Sequence, residues 1–218
     1  MDMHDIAVQI AGQQSRLKLR QGAITAVAAD GTLSVTVAGS AVVLTGIKAL
    51  ASVCPVVGVA VWLATDGRDL FAIGTMSPPA YCSLLRTTDA ATTTGVYLEV
   101  SFAAATRIDT AGMWAAGAPT KITCTVPGVY QLSGGVNWDA SNDGRRDCRL
   151  LVNGTGVASS VVPAENVGVA QSVSLVTPLA LGDYVELQIR QSSGGNLSAI
   201  AGALGPKLVA CWIGRPVA

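Results

Sequence analysis

Hydrophobic and polar residues alternate with a period of two over most of the chain, a pattern that predicts β-strands. Between Arg16 and Gly74, runs rich in valine, threonine and alanine are separated by tight-turn signals such as Asp30-Gly31. These runs predict five strands at residues 23–28, 32–37, 41–44, 57–63 and 70–74. Short strands this close together favour a small closed barrel, because closure removes exposed sheet edges.

The first residues have helical spacing instead. Met3, Ile6 and Ile10 recur at intervals of three and four residues, and acidic residues stand in the first turn, where they complement the helix dipole. The pattern predicts a short amphipathic helix over residues 2–14. A helix this short is marginal alone and needs a partner surface for its apolar side. We therefore expect residues 1–77 to attach the chain to another protein, with Met3, Ile6 and Ile10 in contact with it.

Two consecutive prolines, Pro78 and Pro79, mark a boundary, because prolines lack amide donors and stiffen the chain into an extended connector. The sequence thus predicts domains at residues 1–77 and 78–218. The second domain also has strand patterns, and Asn153-Gly154 is a strong signal for a tight hairpin turn. The clearest strands are 121–126, 129–138, 148–152, 171–176, 184–190 and 207–213. Many short strands joined by long loops predict a two-sheet jelly roll, and so an all-β chain.

Composition removes several function classes. Fourteen basic residues balance 14 acidic residues, so the chain has no net attraction for nucleic acid. The longest apolar stretch, 51–64, is interrupted by Pro55 and Gly58 and is too short for a membrane helix, so no membrane insertion is expected. The acidic residues among the first five positions disfavour a secretion signal.

The sequence also contains few of the residues and motifs that catalytic sites commonly use. His4 is the one histidine of the chain, whereas catalytic triads and most zinc sites need a positioned histidine. No phosphate-binding glycine motif occurs in a strand-to-helix setting. We therefore expect no enzyme activity, no cofactor and no metal. The five cysteines are scattered and odd in number, which favours free thiols made in a reducing compartment.

One segment of the second domain combines an aromatic residue with charges on a predicted loop. Loops on rigid sheets are where recognition residues concentrate. The candidate receptor contacts are Trp138, Asp139, Asn142, Asp143, Arg145 and Arg146, with Trp114 as a second aromatic candidate. In the alternative interpretation both tryptophans close the core and the loop is simply solvated. Residues 139–144 also imitate the start of a calcium loop, but Leu150 stands where a bidentate glutamate belongs.

The barrel segment has a recurring pattern of glycines and aliphatic residues: Gly22, Ile24, Val27, Asp30-Gly31-Thr32, Val35, Val37, Val56-Val57-Gly58-Val59, Val61, Phe71, Ile73 and Gly74. With this pattern it resembles the small OB-type barrels of bacteriophage tail and baseplate proteins. The resemblance covers about residues 16–76 and implies an attachment module.

The second domain has a further set of motifs: Ile122–Tyr130, Arg149, Val152-Asn153-Gly154, Leu179, Leu181-Gly182-Asp183, Val185 and Leu187. With these motifs it is similar to the C1q/TNF-like jelly roll. Residues 105–114 resemble the version of this domain in phage tail and fibre proteins. The sequence has no collagen-like Gly-X-Y repeat, which departs from animal C1q and favours the phage interpretation. The resemblance implies a homotrimer.

Alternation along the strand 129–138 then divides its residues between core and subunit interface. Tyr130, Leu132, Gly134 and Val136 are expected inside the sandwich. The small polar set, Gln131, Ser133 and Gly135, is expected at the trimer interface.

Together these features predict a structural virion protein of a bacteriophage, assembled in the host cytoplasm. We expect a trimeric tail, baseplate or fibre component. Its tip would bind a host cell-surface glycan or protein, or decorate the particle. One alternative is a capsid-surface fibre or decoration protein, and another is a glycan-processing enzyme on the virion. A secreted C1q-like module is disfavoured by the absent stalk repeat.

Overall fold

The structure, a computed structural model, describes residues 18–65, 69–76, 78–103 and 107–215. The chain divides into two compact units, residues 1–78 and 79–218. The described residues form strands, turns and bends with no helix, so the all-β prediction is confirmed for them. No helix in this part of the chain is therefore long and apolar enough to cross a membrane. The predicted helix at residues 2–14 lies outside the described residues.

The first unit is a closed five-stranded barrel, as the sequence predicts. Its strands are β1 (Lys18–Val27), β2 (Leu33–Val37), β3 (Val43–Ala49), β4 (Ala60–Thr65) and β5 (Leu70–Thr75). They follow the order β1-β2-β3-β5-β4, with β3 and β5 parallel and the other pairs antiparallel. Alternate residues fill the barrel with aliphatic side chains, as period-two strands require. The core consists of Ile24, Leu33, Val35, Ile47, Val53, Val61, Leu63 and Ala72.

The second unit contains twelve strands among the described residues. They are β6 (Tyr81–Leu85), β7 (Ala90–Thr92), β8 (Leu98–Glu99), β9 (Arg107–Asp109), β10 (Lys121–Thr123), β11 (Gly128–Trp138), β12 (Ser141–Val152), β13 (Thr155–Glu165), β14 (Val169–Leu179), β15 (Tyr184–Gln191), β16 (Leu197–Ala199) and β17 (Lys207–Gly214). Sheet I runs β7-β16-β11-β17-β6-β9, with β14 on the other side of β11. Sheet II runs β10-β15-β12-β13, with β8 beside β15. The chain passes repeatedly from one sheet to the other, which gives the predicted jelly-roll sandwich.

The two sheets pack through their alternate residues. Leu132 and Tyr130 of sheet I, and Leu150 and Leu187 of sheet II, are fully buried. The sheets pack tightly at Gly134, where a Cβ atom would lie 2.6 Å from Leu187 Cδ1. A larger residue at this position would require the Leu187 side chain to shift.

The predicted Asn153-Gly154 hairpin is confirmed. Asn153 and Gly154 have φ angles of 52° and 76°, in the left-handed region that these two residues tolerate best. The turn joins β12 to β13 at the pair Val152–Thr155. Asp183 accepts a hydrogen bond from Asn153 Nδ2 at 2.8 Å and so fixes the turn against the neighbouring loop.

Candidate functional site

The outward side of sheet I is poor in charge. Strand pairing places its residues in rows across β6, β17, β11 and β14. The central row is Ser83, Val209, Ser133 and Ser174. The adjacent rows are Tyr81, Cys211, Gln131 and Val176, and Leu85, Lys207, Gly135 and Ser172. We call the residues of these three rows the assembly face.

Lys207 is the one residue of the assembly face that carries a formal charge at neutral pH. Its aliphatic stem lies beside Gly135, because a Cβ atom there would be 3.6 Å from Lys207 Cγ. Long cationic side chains commonly cover surface in this way while the charged end reaches water. The assembly face therefore offers hydroxyl, small and apolar groups to a partner, with one cation at its border row.

The division of β11 agrees with the alternation in the sequence. Tyr130, Leu132, Gly134 and Val136 are buried, as predicted for the core. On the outward side Gln131 is exposed, Ser133 is half-buried and Gly135 is buried. Their contact with another subunit stays a prediction.

The strands β13 and β14 form the edges of the two sheets, since among the described residues β13 pairs with β12 alone and β14 with β11 alone. The segment from Thr155 to Leu179 contains one charged residue, Glu165. Four of its valines are well exposed: Val157, Val161, Val167 and Val176. Pro163 and Pro178 lie in these strands and lack amide donors, which disfavours the addition of a further strand. The edge thus offers apolar side chains to a partner.

The outward side of sheet II is different, and we call it the charged face. Its charged residues are Glu99, Lys121, Arg145, Asp147, Arg149, Glu186 and Arg190. Asp147 Oδ1 lies 3.2 Å from Arg145 Nε, and Asp147 Oδ2 lies 3.6 Å from Arg190 Nη1. Glu186 Oε1 accepts a hydrogen bond from Thr120 Oγ1 and lies 4.0 Å from Lys121 Nζ.

Aromatic rings complete the charged face. The guanidinium of Arg149 lies 3.6 Å from the ring centre of Tyr97, and that of Arg190 lies 5.3 Å from the same ring. Arg149 Nε also donates a hydrogen bond of 2.9 Å to Gln188 Oε1, whose amide nitrogen donates to Glu99. Cation–π and hydrogen-bond contacts thus stabilise these charged side chains within the subunit.

Two of the predicted receptor contacts are wrong as surface residues. Trp138 and Arg146 are both fully buried, so the alternative in which Trp138 closes the core is confirmed. Trp138 Nε1 donates to Gln171 Oε1 at 3.1 Å, and the amide nitrogen of Gln171 donates to the carbonyls of Arg146 and Ser160. A buried indole and a buried amide need such partners, and this network links β11, β12, β13 and β14.

Arg146 is held by carbonyl groups of its own strand. Its Nη1 donates to the carbonyl of Asp143 at 3.0 Å, and its Nη2 donates to the carbonyl of Ser141 at 3.2 Å. Burial lowers the pKa of the Arg146 guanidinium, and the charge of Asp143 opposes this shift. The side chain therefore stabilises the start of β12 and is withdrawn from any external ligand.

The other loop candidates remain at the surface. Asp139, Asn142, Asp143 and Arg145 are exposed, although residues 141–145 belong to β12 and form an irregular start to that strand. The loop predicted at 139–144 is thus shorter than expected. No group of three or more metal-binding side chains occurs in the described part of the chain.

Trp114 is also wrong as a surface contact. Its side chain is buried, with Nε1 3.4 Å from the carbonyl oxygen of Pro119 and Arg107 over the ring at 5.1 Å. The Asp109 carboxylate accepts hydrogen bonds from the backbone amides of Met113 and Trp114, which positions this connector. The tryptophan closes the sandwich, as the alternative interpretation held. Met3, Ile6 and Ile10, the predicted attachment residues, lie outside the described residues.

Burial also lowers the reactivity of the cysteine thiols. Cys54, Cys82, Cys124 and Cys148 are buried, whereas Cys211 is half-buried on the assembly face. Burial raises the pKa of the Cys82 and Cys148 thiols to about 12, with the Asp109 charge adding to the shift at Cys82. Thiols this weakly acidic are poor nucleophiles at neutral pH.

No protein-family model matches the sequence, and no curated protein matches it. Solved structures do resemble the chain. The globular domain of zebrafish complement 1qA protein has a TM-score of 0.46 and 20% identity, covering 63% of this chain and 99% of its own. Murine APRIL at pH 5.0 has a TM-score of 0.48 and 15% identity, covering 62% of this chain and 98% of its own. A C1q globular domain is thus among the similar structures, as the sequence motifs predicted.

Proposed function

We propose that the chain is a homotrimeric structural protein of a bacteriophage particle, whose C1q/TNF-like jelly roll trimerises and whose OB-like barrel attaches it to other virion proteins. The observation that carries the trimer is the assembly face. A sheet face that stays in water has no reason to avoid charge, and the charged face of the same sandwich shows the ordinary alternative.

The energetic argument rests on desolvation. Burying an ion between subunits costs several kcal/mol unless it is paired and hydrogen-bonded. The hydroxyl and aliphatic groups around Ser133 lose water at much lower cost, and interface cores are typically depleted of charge. Lys207 keeps its ammonium group at the border row, where it can remain in water.

The charge-poor edge of β13 and β14 supports a ring of three copies. If the edge of one subunit packs on the assembly face of the next, the contact joins two different surfaces. Such a heterologous contact forms a closed ring when the rotation between copies closes. Exposed Val157 and Val161 on β13 would then be covered by a neighbouring copy.

The barrel supports an attachment role through its topology. The order β1-β2-β3-β5-β4 with a parallel β3–β5 pair fits a five-stranded Greek-key barrel of the OB type. The phage setting itself is inferred from the sequence resemblance of both domains to phage tail proteins. In this proposal the protein binds and assembles without a catalytic step or cofactor.

Host recognition is assigned to the sandwich tip that remains exposed, which is formed by Asp139, Asn142, Asp143 and Arg145. These residues present carboxylates, an amide and a guanidinium at the connection between β11 and β12. Polar groups of this kind suit hydroxyl-rich glycans or a polar protein surface.

A truncated chain that begins at Pro78 tests this division. It should still form trimers and compete with the full chain for host cells, but it should be absent from purified particles. Immunogold electron microscopy of particles carrying the full chain should place the label on the tail, and label on the capsid would favour the decoration alternative. Normal incorporation of the truncated chain, or absence of the full chain from particles, would contradict the proposal.

A further inference from the structure

The two surfaces that the proposed ring brings together carry one formal charge each. The assembly face has Lys207, and the segment from Thr155 to Leu179, which contains the edge strands β13 and β14, has Glu165. The two charges are opposite in sign, and both side chains are exposed. A cation on the face and an anion on the edge make the two surfaces electrostatically complementary.

Within the described part of the chain, neither charge has an ion-pair partner in its own subunit. The ion pairs of these described residues all lie on the charged face, where Asp147 lies beside Arg145 and Arg190. The ions of the charged face are thus paired inside the subunit, whereas Lys207 and Glu165 are both available to a group on another copy.

Lys207 and Glu165 lie toward the same end of the sandwich. Lys207 pairs with Gly135, three residues before β11 ends at Trp138. Glu165 pairs with Ser141, where β12 begins two residues after the end of β11. Because a strand rises about 3.3 Å per residue, the two levels differ by about 10 Å along the strands.

Rotational symmetry makes this agreement in level significant. A rotation axis repeats every residue at the same height in each copy, so a ring whose axis runs along the strands keeps the two levels about 10 Å apart. Lysine and glutamate have long side chains, and together they can cover such an offset. The edge of one copy can therefore bring its Glu165 to Lys207 of the adjacent face.

We infer that Lys207 of each copy forms an ion pair with Glu165 of the next copy, which gives three identical pairs around the ring. The inference rests on the proposed trimer and specifies which residues meet in its contact. An ion pair at the border of an interface adds little affinity. Its effect is on alignment, because a copy placed in another position loses the pair or brings like charges together.

Charge reversal in the full chain tests the inference. Lys207→Glu and Glu165→Lys each place like charges together in all three contacts, so each should raise the midpoint concentration of trimer dissociation on the order of tenfold. The double substitution recreates the pair with its signs exchanged and should return the midpoint to about the parent value. Sedimentation equilibrium at low ionic strength measures these midpoints. About 1 M salt should reduce the differences, because it screens exposed charges.

A matched control separates the pair from the net charge. Lys48 is exposed on β3 of the barrel, so Lys48→Glu makes the same change of charge away from the sandwich. Lys48→Glu combined with Glu165→Lys has the net charge of the parent, yet it should dissociate as readily as Glu165→Lys alone. Circular dichroism and a thermal scan establish that each variant remains folded.

Carbodiimide cross-linking shows whether the pair joins two copies. The reagent couples an amine to a carboxylate with loss of water, and the sample is an equal mixture of unlabelled and ¹⁵N-labelled parent chains. Mass spectrometry should find peptides that link Lys207 to Glu165 with one half labelled.

The outcomes distinguish this inference from the proposed trimer. A trimeric parent whose reversals are not rescued by the double substitution would overturn the inference and leave the trimer intact. Linked peptides with both halves of one isotope, or no linked peptide, in a trimeric parent would do the same. A monomeric parent would overturn both.

Discussion

The two outward faces of the sandwich are built on the same kind of antiparallel sheet, yet they differ sharply in chemistry. The charged face pairs its ions within the subunit, through Asp147 with Arg145 and Arg190, and places Arg149 and Arg190 against the ring of Tyr97. The assembly face around Ser133 has almost no ions to satisfy. The charged face, whose ions have partners in the same subunit, and the assembly face, which can lose water at low cost, therefore lie on opposite sides of one core.

A substitution in the core between the two faces should cause the largest loss of folding stability. Leu132 is fully buried in sheet I, so Leu132→Ala should lower the free energy of unfolding by about 2–5 kcal/mol, the range for buried leucines. Denaturant unfolding followed by circular dichroism measures this loss. A cost below about 1 kcal/mol would show that β11 does not face the core as described.

Substitution on the assembly face should affect association rather than folding. Ser133→Arg places a charge in the central row, so we expect trimers to dissociate while the monomer stays folded, because an unpaired buried ion costs several kcal/mol. Thr123→Arg is the matched control, since Thr123 is a half-buried hydroxyl residue on the outward side of β10 in sheet II. Size-exclusion chromatography with light scattering should find Thr123→Arg unchanged. Equal masses for the two variants would remove the distinction between the faces.

The reactivity of the cysteines also tests whether the assembly face is covered by another subunit. Thiol counting in denaturant without reductant should find all five cysteines. In the native parent at about pH 8, Cys82 and Cys148 should resist alkylation, because their raised pKa keeps them protonated far above that pH. Cys211 should also be slow in the trimer and should react on the order of tenfold faster in Ser133→Arg, where the face is open. Equal Cys211 rates in both proteins would contradict the proposed interface.

A substitution on the charged face should cause the smallest loss of stability. Tyr97→Leu keeps apolar bulk but removes the ring beneath two guanidinium groups, so the expected loss of stability is about 1 kcal/mol, with no change in oligomeric state. Thermal unfolding of matched samples measures it. Dissociation of the trimer by Tyr97→Leu would instead place the interface on this side of the sandwich.

Local patterns in the sequence predicted much of the fold. Period-two alternation was sufficient for the barrel strands and for the two sides of β11, and Asn153-Gly154 located a hairpin, because these features depend on neighbouring residues. The strand β13 was missed, since its serine and alanine residues and Pro163 do not alternate clearly and edge strands tolerate such a composition.

The candidate site was predicted only in part. Gln131, Ser133 and Gly135 were placed on the outward side of their strand correctly. Trp138 and Arg146 were misplaced because polar neighbours suggested a loop. In the fold both are buried, with Trp138 bonded to Gln171 and Arg146 bonded to carbonyls of its own strand. The cluster of Tyr97, Arg149 and Arg190 was not predicted, since it joins segments that are far apart in sequence and meet only in the folded sheet.

The central claim is that the assembly face is buried between three copies of this chain. Sedimentation equilibrium of the parent protein at micromolar concentration tests it most directly. We predict a single species with three times the 22.1 kDa chain mass. A stable monomer at that concentration would contradict the claim and leave the charge-poor face without its proposed partner.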